Sequence, residues 1–281
     1  MVAVALGIGT ALCWGLADFL GGLRTRRLTL AVVLLVSQLT GLAAIAIVVA
    51  AGNLESPAFG DLVPAVLAGA CQLAGIAALY RALAIGTMSV ISPISASGAA
   101  AIPVVVGVAT GERPGALVAI GMVAALLGVT LATRSPDFGQ DGGSSRDALL
   151  LAAVAALGFS GFYVGMDEAV SDVEPFWALL AARTCAGVML VVVLISVRPR
   201  LGAAPAVLPS LALIGLLDVG ANACFTFGAE TGLLSVVSVL ASLYPVGTVL
   251  LARAMLGERL IPVQTAGVTV ALAGVALIAT G

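Results

Sequence analysis

The sequence predicts an all-α integral membrane protein: ten transmembrane helices, arranged as two inverted five-helix repeats around a central cavity. Three observations predict it. The 281 residues are 61% hydrophobic and only 9% charged, with a mean hydropathy of +1.21; a soluble domain carries roughly 25% charged residues, and so few charges cannot cover a water-facing surface. The apolar runs are near the ~20 residues a helix needs to cross a ~30 Å hydrocarbon core, and they lack the short alternating pattern of barrel strands. The chain also repeats itself. Gly86, Ser89, Val90, Ser92, Gly111-Glu112-Arg113, Gly121, Ala125, Leu126, Gly128 and Val129 return, without a gap, about 146 residues later. Their counterparts are Gly232, Ser235, Val236, Ser238, Gly257-Glu258-Arg259, Gly267, Ala271, Leu272, Gly274 and Val275.

Ten runs follow in order. The first half, residues 1–134, gives Val2–Gly21, Leu28–Ala51, Leu62–Ala84, Thr87–Thr110 and Pro114–Thr133. The second, residues 148–281, gives Ala148–Met166, Pro175–Val197, Ala206–Ala229, Leu233–Leu256 and Pro262–Thr280. Gly, Pro and charge punctuate them, as turns require. Between the halves, residues 135–147 are rich in Gly, Ser, Pro and Asp and read as a flexible linker. An odd number of spans per half forces two similar units joined in sequence to lie upside down relative to one another. Pro93 and Pro103 in the fourth span, and Pro245 in the ninth, are expected to bend their helices.

All twelve basic residues are arginines, histidine is absent, and the net charge is -2. This argues against a nucleic-acid partner, which wants a clustered basic patch. It also removes the proton-shuttling imidazole, the Schiff-base lysine and the His-based zinc motif, so no cofactor and no metal are expected. Cys13, Cys71, Cys185 and Cys224 lie within apolar spans without a paired spacing and read as small packing residues. With no basic segment before Arg24, the first run reads as a retained span rather than a cleaved signal.

Polar groups inside spans are costly and usually face the bundle interior. They fall in repeat-related pairs: Gln72 with Asp218, Ser37 with Arg183, Trp14 with Ser160. Asp218, Asn222 and Thr226 recur every four residues and so share one face of the eighth span. Two readings stay open for this stripe. It binds substrate or a proton, or Asp218 is the structural partner of Arg183. The expected substrate-binding set is Trp14, Asp18, Gln72, Ser92, Arg183, Asp218, Asn222, Ser238 and Tyr244. For the serines the competing reading is helix packing, for Asp18 it is snorkelling to the interface, and for Tyr244 an interfacial aromatic. Gly121 with Ala125, and Gly267 with Ala271, read as small-residue seams for close helix contact.

The five-span repeat, Cys13-Trp14-Gly15 in the first span, and Gly-Glu-Arg after the fourth span of each half together resemble the EamA-type family of the drug/metabolite transporter superfamily. The resemblance covers nearly the whole chain. It implies a bacterial inner-membrane carrier of amino acids or other small organic solutes, often proton-linked, with ten helices around a cavity. Small multidrug relatives carry a membrane-embedded glutamate midway along the first helix, where this chain has Trp14, with Asp18 one turn later. The expected partners are a small-molecule substrate and the lipid bilayer, the protein being a monomer or weak homodimer. The alternatives are a non-transporting membrane scaffold and a membrane-embedded enzyme, for which no nucleophile–base pair is visible.

Arg24, Arg26, Arg27, Arg81, Arg134, Arg146, Arg198, Arg200, Arg253 and Arg259 fall on one side of this ten-span arrangement, and Arg113 on the other with Asp167, Glu168, Asp172 and Glu174. The positive-inside rule makes the Arg-rich side cytoplasmic and both termini external. A cysteine placed at Ser144 of the linker is accordingly expected to resist an impermeant thiol reagent in intact cells and to label after permeabilisation; ready labelling of intact cells reverses the assignment.

Overall fold

The computed structural model describes residues 1–25, 28–52, 54–85, 88–132, 146–199, 205–256 and 261–280. Among these there are only helices and the turns that join them. In chain order they are α1 (Val2–Thr25), α2 (Leu30–Ala51), α3 (Val63–Ile85), α4 (Met88–Ala109), α5 (Ala116–Ala132), α6 (Arg146–Ala169), α7 (Pro175–Val197), α8 (Leu208–Thr231), α9 (Leu234–Ala241), α10 (Tyr244–Leu256) and α11 (Pro262–Thr280), with short 3₁₀ turns before α3 and α8. Seven helices among the described residues are long and apolar enough to cross a membrane, and three further apolar helices are shorter. Helix α6 starts two residues inside the expected linker, at Arg146, and the acidic Asp147 lies in its first turn, where the helix dipole favours it. The remainder of the linker lies outside the described residues.

The ninth run differs from expectation. It is not one helix but two, α9 and α10, separated at Ser242 and Leu243. Pro245 has no N–H to return to Ala241, so the chain restarts and Pro245 enters the first turn of α10, where that N–H is not needed. The Val246 N–H donates instead to the Leu243 carbonyl at 2.9 Å. Pro93 and Pro103 leave α4 continuous.

Because lipid tails are as apolar as leucine, helices in a membrane associate through close van der Waals contact rather than through the hydrophobic effect. The sequence answers with small residues at the contacts. Helix α3 packs on α6 and α7, α8 on α1 and α2, α4 on α6 and α9, and α5 on α11. In the last pair Gly121 meets Gly274 and Ile278, Gly128 meets Ala271, and Gly267 meets Ala132. One index rises as the other falls, so α5 and α11 run antiparallel. Outward-facing positions carry the large apolar residues: Leu117, Ile120, Val123 and Leu127 on α5, and Val188, Val191, Val192 and Ile195 on α7 are exposed. Alanine fills the inside, with Ala65, Ala68, Ala96, Ala125 and Ala178 fully buried or nearly so.

Met1–Val4, Arg113–Gly115, Thr231–Leu233 and Ile278 line one surface groove. The start of α1, the α4–α5 turn, the α8–α9 turn and the end of α11 therefore share one face of the molecule. On that face Glu112 reaches from the first half to the second: its Oε2 accepts the Ser235 backbone N–H in the first turn of α9, at 3.2 Å. Ser235 and Ser238 are themselves fully buried, and neither hydroxyl finds a partner among the described residues.

A Cβ at Gly128 would collide with the backbone of Ala271, whereas one at Gly21 would meet nothing within 4 Å. Gly128→Val is expected to destabilise the detergent-purified protein by about 1–3 kcal/mol or more through overpacking, read as a lower melting temperature, while Gly21→Ala leaves it unchanged or slightly raised. Equal melting of Gly128→Val and the wild type would show that this seam does not hold α5 to α11.

Candidate functional site

Four helices send one polar side chain each to a common centre. Arg183, midway along α7, is 2% exposed. Its Nη2–H donates to Asp218 Oδ2 on α8 at 2.5 Å, and its Nη1–H donates to Gln38 Oε1 on α2 at 2.5 Å. The second Asp218 oxygen, Oδ1, accepts the indole N–H of Trp14 on α1 at 3.0 Å. A carboxylate with both oxygens engaged and a guanidinium with both terminal nitrogens engaged form a nearly closed unit; the buried Arg183 Nε alone keeps no partner among the described residues. Asp218 is 24% exposed by its side chain, so the network opens on the Asp218 side and is closed on the Arg183 side.

Aromatic rings surround the open side. Trp14 stacks on Tyr163 of α6 at a centroid distance of 6.0 Å and meets Tyr244 of α10 edge-on at 6.1 Å. Tyr163 in turn stacks on Phe225 of α8 at 4.5 Å. Tyr163 and Phe225 are buried, while Trp14 and Tyr244 are half-buried. The break before α10 is what puts Tyr244 here, as the first residue of a helix rather than one position within a continuous one.

One turn beyond Asp218, Asn222 Oδ1 accepts from Gln72 Nε2 of α3 at 3.4 Å. Gln72 Oε1 is buried without a partner among the described residues. One turn beyond Trp14 on α1, Asp18 is exposed. No cation is paired with it among the described residues, where Arg183–Asp218 is the ion pair found.

Of the expected set, Trp14, Arg183, Asp218 and Tyr244 are in direct contact through this network, Gln72 and Asn222 adjoin it, and Asp18 lies one turn along α1 from Trp14. Ser238 is buried on α9 without a bond into the cluster, and the side chain of Ser92 lies outside the described residues. Thr226, third in the stripe on α8, spends its hydroxyl on the Asn222 carbonyl of its own helix at 2.8 Å. Ser37 and Ser160 likewise bond to backbone carbonyls, as polar side chains inside apolar helices do. Sequence reasoning passed over Gln38 and Phe225 and did not select Tyr163. The signal for Gln38 was available: it is the lone amide in the 22-residue apolar helix α2. Among the described residues no three His, Cys, Asp or Glu side chains stand close enough to share a metal ion.

Asp218→Asn would leave the Arg183 charge buried without a counter-charge. It is expected to cost about 3–5 kcal/mol of stability, measured as a lower melting temperature in detergent. The double variant Arg183→Met, Asp218→Asn should recover at least half of that loss. Wild-type melting in Asp218→Asn would remove the ion pair from the account of stability.

Comparison with known proteins bears on this arrangement in two ways. A solved structure, titled only "Crystal structure of protein", superposes with a TM-score of 0.78 at 18% sequence identity, over 98% of this chain and 95% of that one. At that identity the likeness concerns the fold, and it extends over both halves. No curated protein matches the sequence. Residues 147–280 match the model of the EamA-like transporter family. With its apolar helices this is a multi-pass membrane protein, and the part of the chain that supplies Arg183, Asp218, Asn222 and Tyr244 belongs to the EamA-like transporter family, within the drug/metabolite transporter superfamily.

Proposed function

We propose that this protein is a secondary transporter that moves a small organic solute, an amino acid or related metabolite, across the bacterial inner membrane by alternating access. The direction we assign is export, coupled to an ion or proton gradient. The observation that carries the proposal is the Trp14–Asp218–Arg183–Gln38 network. It draws mid-helix residues from α1 and α2 of one half and α7 and α8 of the other, and Trp14 and Tyr244 beside it are half-buried. Polar and ionisable groups in spans mark solute pathways, and a site shared by two halves is where their relative movement switches access.

The architecture we infer for this function is ten transmembrane helices in two inverted repeats, residues 1–134 and 148–281, with α9 and α10 forming one interrupted span. The contact pattern supports it. Moving by one repeat converts α3 into α8, α6 into α1 and α7 into α2, and the packing of α3 on α6 and α7 has its counterpart in that of α8 on α1 and α2. Helices α5 and α11 occupy equivalent repeat positions and run antiparallel, as inversion requires. The scaffold reading is weaker, because a purely structural centre has no need of half-buried Trp14 and Tyr244, nor of an exposed Asp18 for which no ion-pair partner is found among the described residues.

Untargeted metabolite profiling tests the function. Cells producing the wild-type protein are expected to shift the outside-to-inside ratio of at least one small organic solute. Cells producing Trp14→Ala at equal membrane abundance should not. If no solute's distribution differs between producing and non-producing cells, the scaffold reading replaces the transporter.

A further inference from the structure

The turn after α4 is built to place one carboxylate. Gly111, with φ +110°, adopts the left-handed conformation that ends many helices. Its N–H donates to the Val108 carbonyl at 3.2 Å, and the Glu112 N–H donates to the Gly107 carbonyl at 2.8 Å. These two bonds form a Schellman cap, which folds Glu112 back beside the last turn of α4. A Cβ at Gly107 would collide with the Glu112 carboxylate, so glycine there makes the room. From this position Glu112 Oε2 accepts the Ser235 N–H of α9. Helix α9 needs that acceptor. Its N-cap residue is Leu233, which offers no side-chain bond, although the first N–H groups of a helix have no partner within it. Ser235 is the second residue of α9, a position that a capping side chain normally serves. The first half thus caps a helix of the second. The sequence writes this arrangement once. The repeat counterpart of Leu233 is Thr87, a residue type that caps its own helix, and the counterpart of Gly107 is Arg253, not glycine.

Resting on the transport reading above for its purpose, we propose that Glu112 is a latch between the halves: it holds shut the face shared by Met1, Arg113 and Thr231, and access from that face requires the Glu112–Ser235 bond to break. Helix α9 is suited to carry the movement. It is eight residues long, all of them buried, and spans about 12 Å. The turn at Gly232 bounds it on one side and the break at Ser242 and Leu243 on the other. Helices α1 and α8 close on it: a Cβ at Gly7 would meet Leu240 at 2.8 Å, and one at Gly228 would meet Val237 at 3.0 Å. Tyr244 follows directly after the break and meets Trp14, so a shift of α9 reaches Trp14 and, through it, Asp218. Glu112 is half-buried, and water can take its place when the bond breaks, which keeps the cost of opening small. Glu112 touches no solute; it acts through α9 and is a positioning residue.

Ser238 can report the opening. It lies one turn along α9 from Ser235, is fully buried, and its hydroxyl has no partner among the described residues, so Ser238→Cys gives up no bond seen there. The background replaces Cys13, Cys71, Cys185 and Cys224 by alanine, and the detergent-purified protein is labelled with N-ethylmaleimide in the absence of any solute. Ser238→Cys is expected to label at least ~10-fold more slowly than Ser171→Cys, which sits in an exposed turn. Glu112→Ala should speed the labelling of Ser238→Cys at least ~5-fold, the factor to which losing a typical helix cap corresponds. Adding Leu233→Thr at this exposed position rebuilds a cap from within the second half. The melting temperature should then return towards that of the parent while labelling stays fast, because the halves remain untied. Three results overturn the proposal: Ser238→Cys labelling as fast as Ser171→Cys, an unchanged rate in Glu112→Ala, or slow labelling restored by Leu233→Thr. Should Glu112→Ala fail to fold, Ser235→Pro removes the N–H, keeps the carboxylate and is judged by the same ~5-fold threshold, since proline is tolerated in a first turn. The two readings fail separately. Fast labelling in Glu112→Ala with no solute shifted in the metabolite profiling keeps the latch and rejects transport; a shifted solute with labelling indifferent to Glu112 keeps transport and rejects the latch.

Discussion

The rest of the structure depends on a guanidinium held where water cannot reach it. Removing a charge of this kind from water costs several kcal/mol even after the protein relaxes, and in a bilayer the alternative partners are hydrocarbon. Arg183 therefore needs its contacts in place together: Asp218 from α8 for the charge and Gln38 from α2 for the second nitrogen. Trp14 from α1 then fixes the oxygen of Asp218 that Arg183 leaves free. One charge thereby sets the relative positions of four helices. It also limits what Asp218 can do, since a carboxylate already satisfied at both oxygens has little left to offer a ligand.

Away from this centre the helices are held differently. The α5–α11 pair carries no charge at its contacts; Gly121, Gly128, Gly267 and Gly274 let two backbones meet along several turns. Such a seam is strong only when continuous, because each atom pair contributes about 0.1–0.2 kcal/mol and a single added Cβ separates the helices along their length. The polar centre works the other way: few contacts, each costly to lose. A fold that combines them has a close-packed flank in α5 and α11 and a core whose geometry is set by directional bonds.

Much of this was legible in the sequence. Low charge and long apolar runs give helices in a membrane, and the sequence places Arg183 and Asp218 mid-span, with pairing between them as one of the two readings of the Asp218 stripe. Other parts were hidden for identifiable reasons. Repeat equivalence drew attention to Ser37 as the counterpart of Arg183, yet the bond comes from the neighbouring Gln38, because which residue of α2 faces α7 depends on helix rotation. Nearly featureless apolar helices do not reveal that rotation. Tyr163 and Phe225 resemble ordinary core aromatics until α6 and α8 bring them together. The break at Ser242–Leu243 follows from Pro245, but Pro103 in α4 breaks nothing. A proline interrupts a helix only where the surrounding structure can take up the freed carbonyls.

The repeat also explains why its two copies could not stay alike at the centre. Ser37, the counterpart of Arg183, is buried on α2 with its backbone against Gly215 of α8. An arginine there would add a second buried guanidinium, which the single Asp218, already bonded to Arg183, could not neutralise. One copy must therefore be neutral, and Ser37 is. Gln72 in place of a second aspartate at the position equivalent to Asp218 follows from the same constraint, since without a second arginine another buried carboxylate would stand unpaired. Apolar seams carry no such penalty, and there the copies remain matched: Gly121 with Gly267, Ala125 with Ala271, Gly128 with Gly274. The two halves therefore differ at the buried charges of the centre and match along the glycine and alanine seams.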